Sequence, residues 1–329
     1  MSLQDDRELF DLFAKPNETN NSPRIAVPDC GLRESDKKMD TFTYVQWTTD
    51  GKIFFPAGET CSELTPGVYE IRISERGIYF QKIPIKTEGL IRFPDSNSDL
   101  VINELEKFWE REDVFNKFGL LYKRGIMLYG PPGSGKSCTV RFVMENVIAR
   151  GGIVVKFTEP ELYIMGMRAL REIQPSVPVV TTMEDIDSTL ERFSESAVLN
   201  ILDGVDQINK VIYLATTNYP DKLGARIINR PSRFDKRFKI GHPSAEGRRM
   251  YFEHIIKDRM KVNIDKWVED TEGMSIAHLR ELVVAVIIIG DKYEDAISTL
   301  KLMHEIIDER EYDSIGFHTN KQVACRSSR

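Results

Sequence analysis

The sequence predicts an α/β fold: a parallel sheet covered by helices, with a small β-rich domain before it and a helical domain after it. Apolar strands alternate with helical stretches through the middle of the chain, which is typical of a parallel sheet. Each strand is nearly continuous in apolar residues, so we expect both faces of the sheet to be buried. The predicted strands are residues 126–129, 153–157, 179–183 and 211–216.

Two regions are predicted before this sheet. Residues 1–40 are mostly polar and irregular, which indicates a flexible arm. Residues 41–95 are predicted to form a small β-rich domain that binds a substrate or partner. In this region Tyr69, Ile71 and Ile73 alternate with polar residues, and glycine-containing turns separate the apolar runs.

The rest of the chain is predicted to form two domains and a tail. Residues 96–241 carry the alternating strands and helices. Residues 242–313 follow helical periods and contain no evident strand, so we predict a helical domain that closes the fold. Residues 314–329 are predicted to be a frayed tail.

Composition excludes several classes of protein. The chain has 329 residues, with 45 Lys and Arg against 51 Asp and Glu, and its net charge of −6 argues against broad coating of nucleic acid. Its longest apolar run, residues 282–289, is much shorter than the roughly 20 residues of a membrane-spanning helix. The first ten residues lack an apolar signal core. We therefore expect a soluble, cytoplasmic protein without membrane contact.

A glycine-rich segment carries the clearest chemical signal. Residues 130–137 fit the P-loop pattern GxxxxGK[ST], between an apolar strand and a helical stretch. Glycines let the backbone N–H groups surround an anion, and the following helix directs its positive end at that anion. We expect Lys136 to neutralise the β and γ phosphates of ATP and Ser137 to bind Mg²⁺. The predicted nucleotide contacts are Gly130, Pro131, Pro132, Gly133, Ser134, Gly135, Lys136, Ser137 and Cys138.

Two acidic residues follow the third predicted strand. By position, we expect Glu184 to hold Mg²⁺ through water and Asp185 to polarise the attacking water. The order is unusual, because most enzymes of this kind have Asp before Glu. An acidic loop at the end of a strand is the alternative interpretation.

Residues 124–137 and 216–235 together resemble the AAA branch of the AAA+ ATPases, and the resemblance covers about two-thirds of the chain. It implies a P-loop NTPase sheet with a helical lid. It also implies that Asn218 positions the attacking water and that Arg230 and Arg233 are arginine fingers for a neighbouring subunit. Ser232 replaces the glycine that the family has between these arginines. Such fingers imply a homo-oligomeric ring, typically a hexamer.

The same resemblance suggests three further features. Asp203 and Gly204 are similar to the segment that signals between subunits, with a turn that ends a helix as the alternative. His278 lies where many AAA lids have Asp, so it is expected either near the nucleotide or on a solvent-facing helix surface. The best match to a substrate-gripping pore loop is Tyr163, Ile164, Met165 and Gly166, with a buried helix stripe as the alternative.

These features predict an ATP-hydrolysing AAA+ ring motor that remodels or unfolds protein substrates. The Glu-Asp order is also similar to that of the mitochondrial AAA chaperone of cytochrome bc complex assembly, a likeness limited to the ATPase module. Two alternatives stay open. One is a nucleic-acid motor or loader, and the other is a slow ATP-binding assembly switch in which the shorter Asp185 side chain holds water less well.

Overall fold

The computed structural model describes residues 46–49, 54–57, 60–75, 77–85, 90–93, 97–203, 208–224, 227, 230, 232–257 and 260–314. The predicted arm 1–40 and nearly all of the predicted tail lie outside these residues. The chain divides into two units between Ser62 and Glu63. In the first unit, strands β1 (Gln46–Thr49) and β2 (Phe54–Ala57) pair antiparallel.

The second unit is built on a seven-stranded sheet. Its strands are β3 (Gly67–Ser74), β4 (Gly77–Ile83), β5 (Lys123–Tyr129), β6 (Ile153–Lys156), β7 (Val179–Met183), β8 (Val211–Thr217) and β9 (Lys236–Lys239). They lie in the order β4-β3-β6-β7-β8-β5-β9, and every neighbouring pair except β3–β4 is parallel. The predicted α/β class and its four parallel strands are confirmed. The sequence analysis missed β9, because three of its four residues are charged.

Helices connect the strands and form the carboxyl-terminal part of the described chain. They are α1 (Ser98–Trp109), α2 (Glu112–Lys117), α3 (Lys136–Ala149), α4 (Pro160–Ile173), α5 (Ile186–Arg192), α6 (Glu195–Asp203), α7 (Ala245–Ile256), α8 (Ile264–Asp270), α9 (Ile276–Val283) and α10 (Tyr293–Ser314). A short 3₁₀ turn spans Pro220–Lys222, and a π-helical turn spans Val284–Ile289.

Both faces of the sheet are buried, as the continuous apolar strands predict. In β5, Ile126 and Leu128 pack in a cluster with the apolar residues of α1 and α3. Met127 points to the opposite face and packs with residues of α4 and α6. Because successive side chains of a strand alternate between faces, one apolar strand supplies both clusters. The result is a three-layer α/β/α arrangement.

The hairpin β3–β4 corrects the predicted domain boundary at residue 95. Strand β3 pairs in parallel with β6 from Gly67 to Glu70, so the hairpin belongs to the main sheet and not to a separate β-rich domain. The alternating pattern follows the face that carries Tyr69 and Ile71, which are buried, and Ile73, which is exposed where β3 extends beyond β6. Val68 lies on the opposite face and is buried in the cluster that contains α1 and α3. An alternating pattern indicates that one face of a strand is covered. It does not indicate whether the residues that cover this face belong to a small separate domain or to the main sheet domain.

A third apolar cluster holds the carboxyl-terminal helices together. Phe252 of α7, Trp267 of α8, Leu279 of α9 and Leu300 of α10 are all buried in it. Phe93, which precedes α1, also belongs to this cluster. The helical region therefore has a core separate from the two that cover the sheet.

The contact between α4 and β3 gives a test of the corrected boundary. Gly166 is buried, and an added Cβ would lie 2.6 Å from Cδ1 of Ile71. We expect Gly166→Ala to lower the free energy of unfolding by about 1–2 kcal/mol, because overpacking outweighs the better helix propensity of Ala. Urea unfolding measures the change. Adding Ile71→Ala, which removes the clashing atoms, is expected to cancel part of the Gly166→Ala effect.

Gly241 provides the matched control. It is exposed, and an added Cβ would meet no atom within 4 Å in the described part of the chain. Gly241→Ala is therefore expected to leave stability unchanged within about 0.5 kcal/mol. If both glycine variants behave alike, the close packing of the hairpin on α4 is wrong.

Candidate functional site

The predicted P-loop connects the end of β5 to the start of α3. Gly130 has a φ of 151°, and an added Cβ would lie 2.0 Å from the carbonyl oxygen of Ile240, so this position requires glycine. Gly135, with a φ of 101°, is the residue from which α3 begins. These two glycines allow the strand-to-helix turn that opens an amino-terminal helix end toward the loop.

Lys136 is buried within this loop. Its ammonium group donates hydrogen bonds to the carbonyl oxygens of Gly130 and Pro131, each at 2.8 Å. Burial lowers the pKa of Lys136, while the negative charges of Asp185 and Asp187 act in the opposite direction. The lysine therefore lies on the loop that the sequence predicts to bind phosphate, with acidic groups close enough to influence it.

The remaining predicted nucleotide contacts occupy the loop and the first turn of α3. Ser134 is buried, Ser137 is exposed and Cys138 is half-buried. The exposed Ser137 hydroxyl is available to a metal ion or phosphate, as the pattern predicts. The loop also carries the half-buried Pro131 and the exposed Pro132 and Gly133.

The two predicted acids follow β7 directly. Asp185 adopts a left-handed backbone conformation, with φ 48° and ψ 59°, and its N–H donates to Oγ1 of Thr216 at 3.0 Å. Asn218, which follows β8, donates from Nδ2 to Oδ1 of Asp185 at 3.4 Å. Because β7 and β8 are adjacent and parallel, their carboxyl ends bring these residues together. Thr216 was missed, since a threonine inside an apolar strand gives no motif signal.

Glu184 and Asp185 are exposed and border a cleft of about 570 Å³. The opposite wall of this cleft comes from the β3–β4 hairpin, through Arg72, Ile73 and Tyr79. The hairpin therefore forms part of the cleft next to the two acids, in addition to the residues that follow the four predicted strands.

The two predicted arginine fingers lie in different environments. Arg233 is 5% exposed, and its Nε donates to Oδ2 of Asp203 at 2.8 Å. Arg230 is 65% exposed, and its Nη1 lies 3.3 Å from the same oxygen. Burial alone would raise the pKa of Asp203, but hydrogen bonds and charge from Arg233, Ser232 and Arg230 lower it overall. Gly204, which was predicted with Asp203 to signal between subunits, lies outside the described residues.

The predicted pore loop is corrected by the structure. All four of its residues lie within helix α4, so no loop stands at this position. The Tyr163 side chain is buried, and its hydroxyl is 2.7 Å from Oγ1 of Thr181. Gly166 is buried against Ile71, whereas Met165 is 52% exposed and Ile164 is partly buried. A buried helix stripe, the alternative interpretation, describes Tyr163 and Gly166.

The carboxyl-terminal helices approach the P-loop closely at the start of α9. An added Cβ at Gly133 would lie 2.8 Å from Oγ of Ser275 and 3.0 Å from Cβ of Ala277. Ser275 caps α9 by accepting a hydrogen bond from the N–H of His278, and its own Oγ is 2.8 Å from Nδ1 of that histidine. His278 is thus half-buried in a capping box and does not face solvent freely.

Comparison with known proteins identifies the domain that carries this site. Residues 126–242 match the family model described as "ATPase family associated with various cellular activities (AAA)". This region is similar to AAA ATPase domains. ATP, with Mg²⁺, is accordingly the nucleotide that belongs at the P-loop, and the exposed Ser137 hydroxyl and nearby carboxylates are the oxygen ligands that Mg²⁺ prefers.

Similar proteins come from archaea and bacteria. The chain is 30% identical over 204 residues to the cell division cycle protein 48 homolog of Archaeoglobus fulgidus, covering 56% of this chain and 27% of that protein. It is 25% identical over 283 residues to the proteasome-associated ATPase of Rhodococcus erythropolis, covering 71% and 48%. It is 26% identical over 238 residues to the proteasome-activating nucleotidase of Methanopyrus kandleri, covering 64% and 54%. The chain therefore spans between about a quarter and a half of these relatives.

The likeness to the cytochrome bc assembly chaperone stays a prediction. Among the described residues, no helix combines the length and the apolar character needed to cross a bilayer.

Because the two arginines differ in burial, replacing them is expected to change the free energy of unfolding by different amounts. Arg233→Ala is expected to lower the free energy of unfolding by about 3 kcal/mol, because it disrupts a buried ion pair with Asp203. Arg230→Ala removes a mostly exposed partner and is expected to cost less than about 1 kcal/mol. Urea unfolding of both variants measures the difference. Equal, small losses would contradict a structural role for Arg233.

The capping box predicts a pH dependence of stability. Burial, assisted by the neighbouring charge of His304, lowers the pKa of His278, and the N–H of Ser275 donates to its Nδ1 at 3.3 Å. The folded state therefore favours neutral imidazole, and this contribution is present above about pH 6.5 and lost as the pH falls. We expect the melting temperature of the wild type to fall more between pH 7.5 and 5.5 than that of His278→Gln.

Glutamine can also serve in a capping box, so this variant removes the titration while keeping the cap. The exposed His254 supplies the control, because His254→Gln is expected to retain the pH dependence of the wild type. A His278→Gln protein with an unchanged pH profile would contradict the assignment.

Proposed function

We propose that the protein is an ATP-hydrolysing AAA+ ring motor that remodels or unfolds protein substrates. The observation that carries this proposal is the convergence of a P-loop, an acidic strand end and Asn218 at the carboxyl ends of adjacent parallel strands. Two relatives, a proteasome-associated ATPase and a proteasome-activating nucleotidase, support action on proteins by their names.

In the proposed reaction, each side chain has a separate role in phosphoryl transfer to water. Lys136 exchanges its loop carbonyl partners for phosphate oxygens and neutralises their charge. Ser137 and Glu184 would hold Mg²⁺, which supplies charge neutralisation and orients the phosphates. Asp185 accepts a proton from the attacking water, and Asn218, hydrogen-bonded to that carboxylate, orients both.

The exposed position of Arg230 supports the proposed ring. Its side chain is 65% exposed, so it can leave its exposed ion pair with Asp203 and extend toward a neighbour's nucleotide. The cleft beside Glu184 and Asp185 offers space for it, and carboxylates at the border favour a cation. In this proposal Arg233 has a different task, since its ion pair with Asp203 fixes the segment that presents Arg230.

Domains 96–241 and 242–313 keep their proposed roles as ATPase domain and helical lid. The close approach of Ser275 and Ala277 to Gly133 supports a lid that senses the state of the P-loop. A nucleotide that moves this loop toward the lid would displace the start of α9, because the space between them would not hold even one added methyl group.

Steady-state ATPase activity across a range of protein concentrations tests the ring. We expect activity per chain to rise with concentration and to fall at least 100-fold in Arg230→Ala, because arginine fingers contribute about 10³–10⁵ in rate in related phosphoryl-transfer systems. An equimolar mixture of wild type and variant is expected to lose more than half of the activity. Lys136→Ala serves as the inactive reference, because it removes the charge that neutralises the phosphates.

Three outcomes would contradict parts of this proposal. Activity that is independent of concentration and of Arg230 would contradict the shared site. Turnover far below one per minute would favour an assembly switch. Stimulation by DNA or RNA, but not by an unfolded protein, would favour a nucleic-acid motor.

A further inference from the structure

Asp187 is a carboxylate near the P-loop that the proposed reaction does not use. It lies in the first turn of α5, two residues after Asp185. Its Oδ1 atom is buried and has no hydrogen-bond partner in the described part of the chain. Carboxylate oxygens inside proteins are usually hydrogen-bonded, because leaving them without a donor is unfavourable. This oxygen therefore retains an acceptor position that no group of the described residues fills.

The surroundings of Asp187 differ from those of the two acids before it. Glu184 and Asp185 border the open cleft, whereas Oδ1 of Asp187 is shielded from solvent. The charge of Asp187, like that of Asp185, acts on the buried Lys136 of the P-loop. Asp187 therefore combines a shielded oxygen with a charge that, like that of Asp185, acts on the lysine of the P-loop.

The local backbone explains this arrangement. Asp185 takes a left-handed conformation and its N–H is held by Thr216, so the chain turns sharply before α5 begins. Ile186 is then fully buried, which anchors the first turn of the helix in the core. This anchoring fixes the direction of the neighbouring Asp187, so its carboxylate has little freedom to find another donor.

We propose that Asp187 is a positioning residue for hydrated Mg²⁺, with Oδ1 accepting a hydrogen bond from a water molecule bound to the metal. Mg²⁺ keeps several of its waters in nucleotide sites, and these polarised waters are strong donors. An oxygen without a donor, close to the P-loop, suits such a water. The inference rests on the proposed nucleotide site and adds a third acid to the two that the sequence analysis selected.

The competing interpretation is that Asp187 acts only as a negative charge that stabilises Lys136. The two roles differ in their dependence on the metal. A positioning role weakens Mg²⁺ binding when the oxygen is removed, whereas a purely electrostatic role weakens nucleotide binding with or without Mg²⁺. A variant that keeps the charge but displaces the oxygen separates them further.

The experiment measures binding of a fluorescent, non-hydrolysable ATP analogue to the full chain, in EDTA and across a Mg²⁺ titration. We expect Asp187→Ala, which removes both carboxylate oxygens, to raise the Mg²⁺ concentration at half-maximal effect about tenfold, the lower end of the loss typical for outer-shell partners of metal ligands. Binding in EDTA is expected to stay within about twofold of wild type. Asp187→Glu, which retains the charge near Lys136, is expected to shift the Mg²⁺ titration as well.

Glu191→Gln is the matched control, because Glu191 is an exposed acid of the same helix and is expected to leave both measurements unchanged. Melting temperatures verify that each variant is folded. Wild-type Mg²⁺ dependence in both Asp187 variants would overturn the inference, as would an equal loss in EDTA and in Mg²⁺. Failure of the wild type to bind the analogue at all would instead contradict the proposed nucleotide site.

Discussion

The parallel pairing of β5, β7 and β8 is the constraint on which the site depends. Parallel strands have their carboxyl ends at the same edge of a sheet. Residues that follow neighbouring strands therefore come together there, even when they are far apart in the sequence. Asn218 and Asp185 are 33 positions apart, and the register of β7 and β8 brings them to hydrogen-bonding distance. Close packing on both faces fixes the register, because a slip would exchange the side chains of the two buried clusters and require both to repack.

Much of the sheet and of the P-loop could be predicted from the sequence. Strand β7 has the bounds predicted for it, because a short apolar run between polar segments has few other ways to be buried. The P-loop pattern identified the turn at Gly130 and Gly135, since left-handed backbone at those positions admits few residues other than glycine. Both predictions rest on local chemistry that acts within a few residues.

The errors concern contacts between distant segments. The alternation in β3 indicated one covered face but not which layer covers it, so the hairpin was assigned to a separate domain. Tyr163 precedes an apolar pair and a glycine, which is typical of a substrate-gripping pore loop. Its hydroxyl nevertheless lies against Thr181 of β7 inside the core. Likewise, the sequence treats Arg230 and Arg233 as equivalent, whereas their exposure differs, because Arg233 is buried in its ion pair with Asp203 and Arg230 is mostly exposed. Such pairings depend on how helices pack on the sheet, which periodicity does not specify.

The hydrogen bonds of Lys136 have a thermodynamic consequence for ligand choice. The ammonium already has two carbonyl acceptors within the loop, so an incoming anion gains only the difference between the new bonds and the old ones. A charged phosphate oxygen outcompetes a neutral carbonyl, but replacing two acceptors calls for two oxygens held in suitable positions. The loop carbonyl groups thus compete with a bound anion for the ammonium group of Lys136. A polyphosphate chain is expected to displace these carbonyl groups more effectively than a single phosphate group.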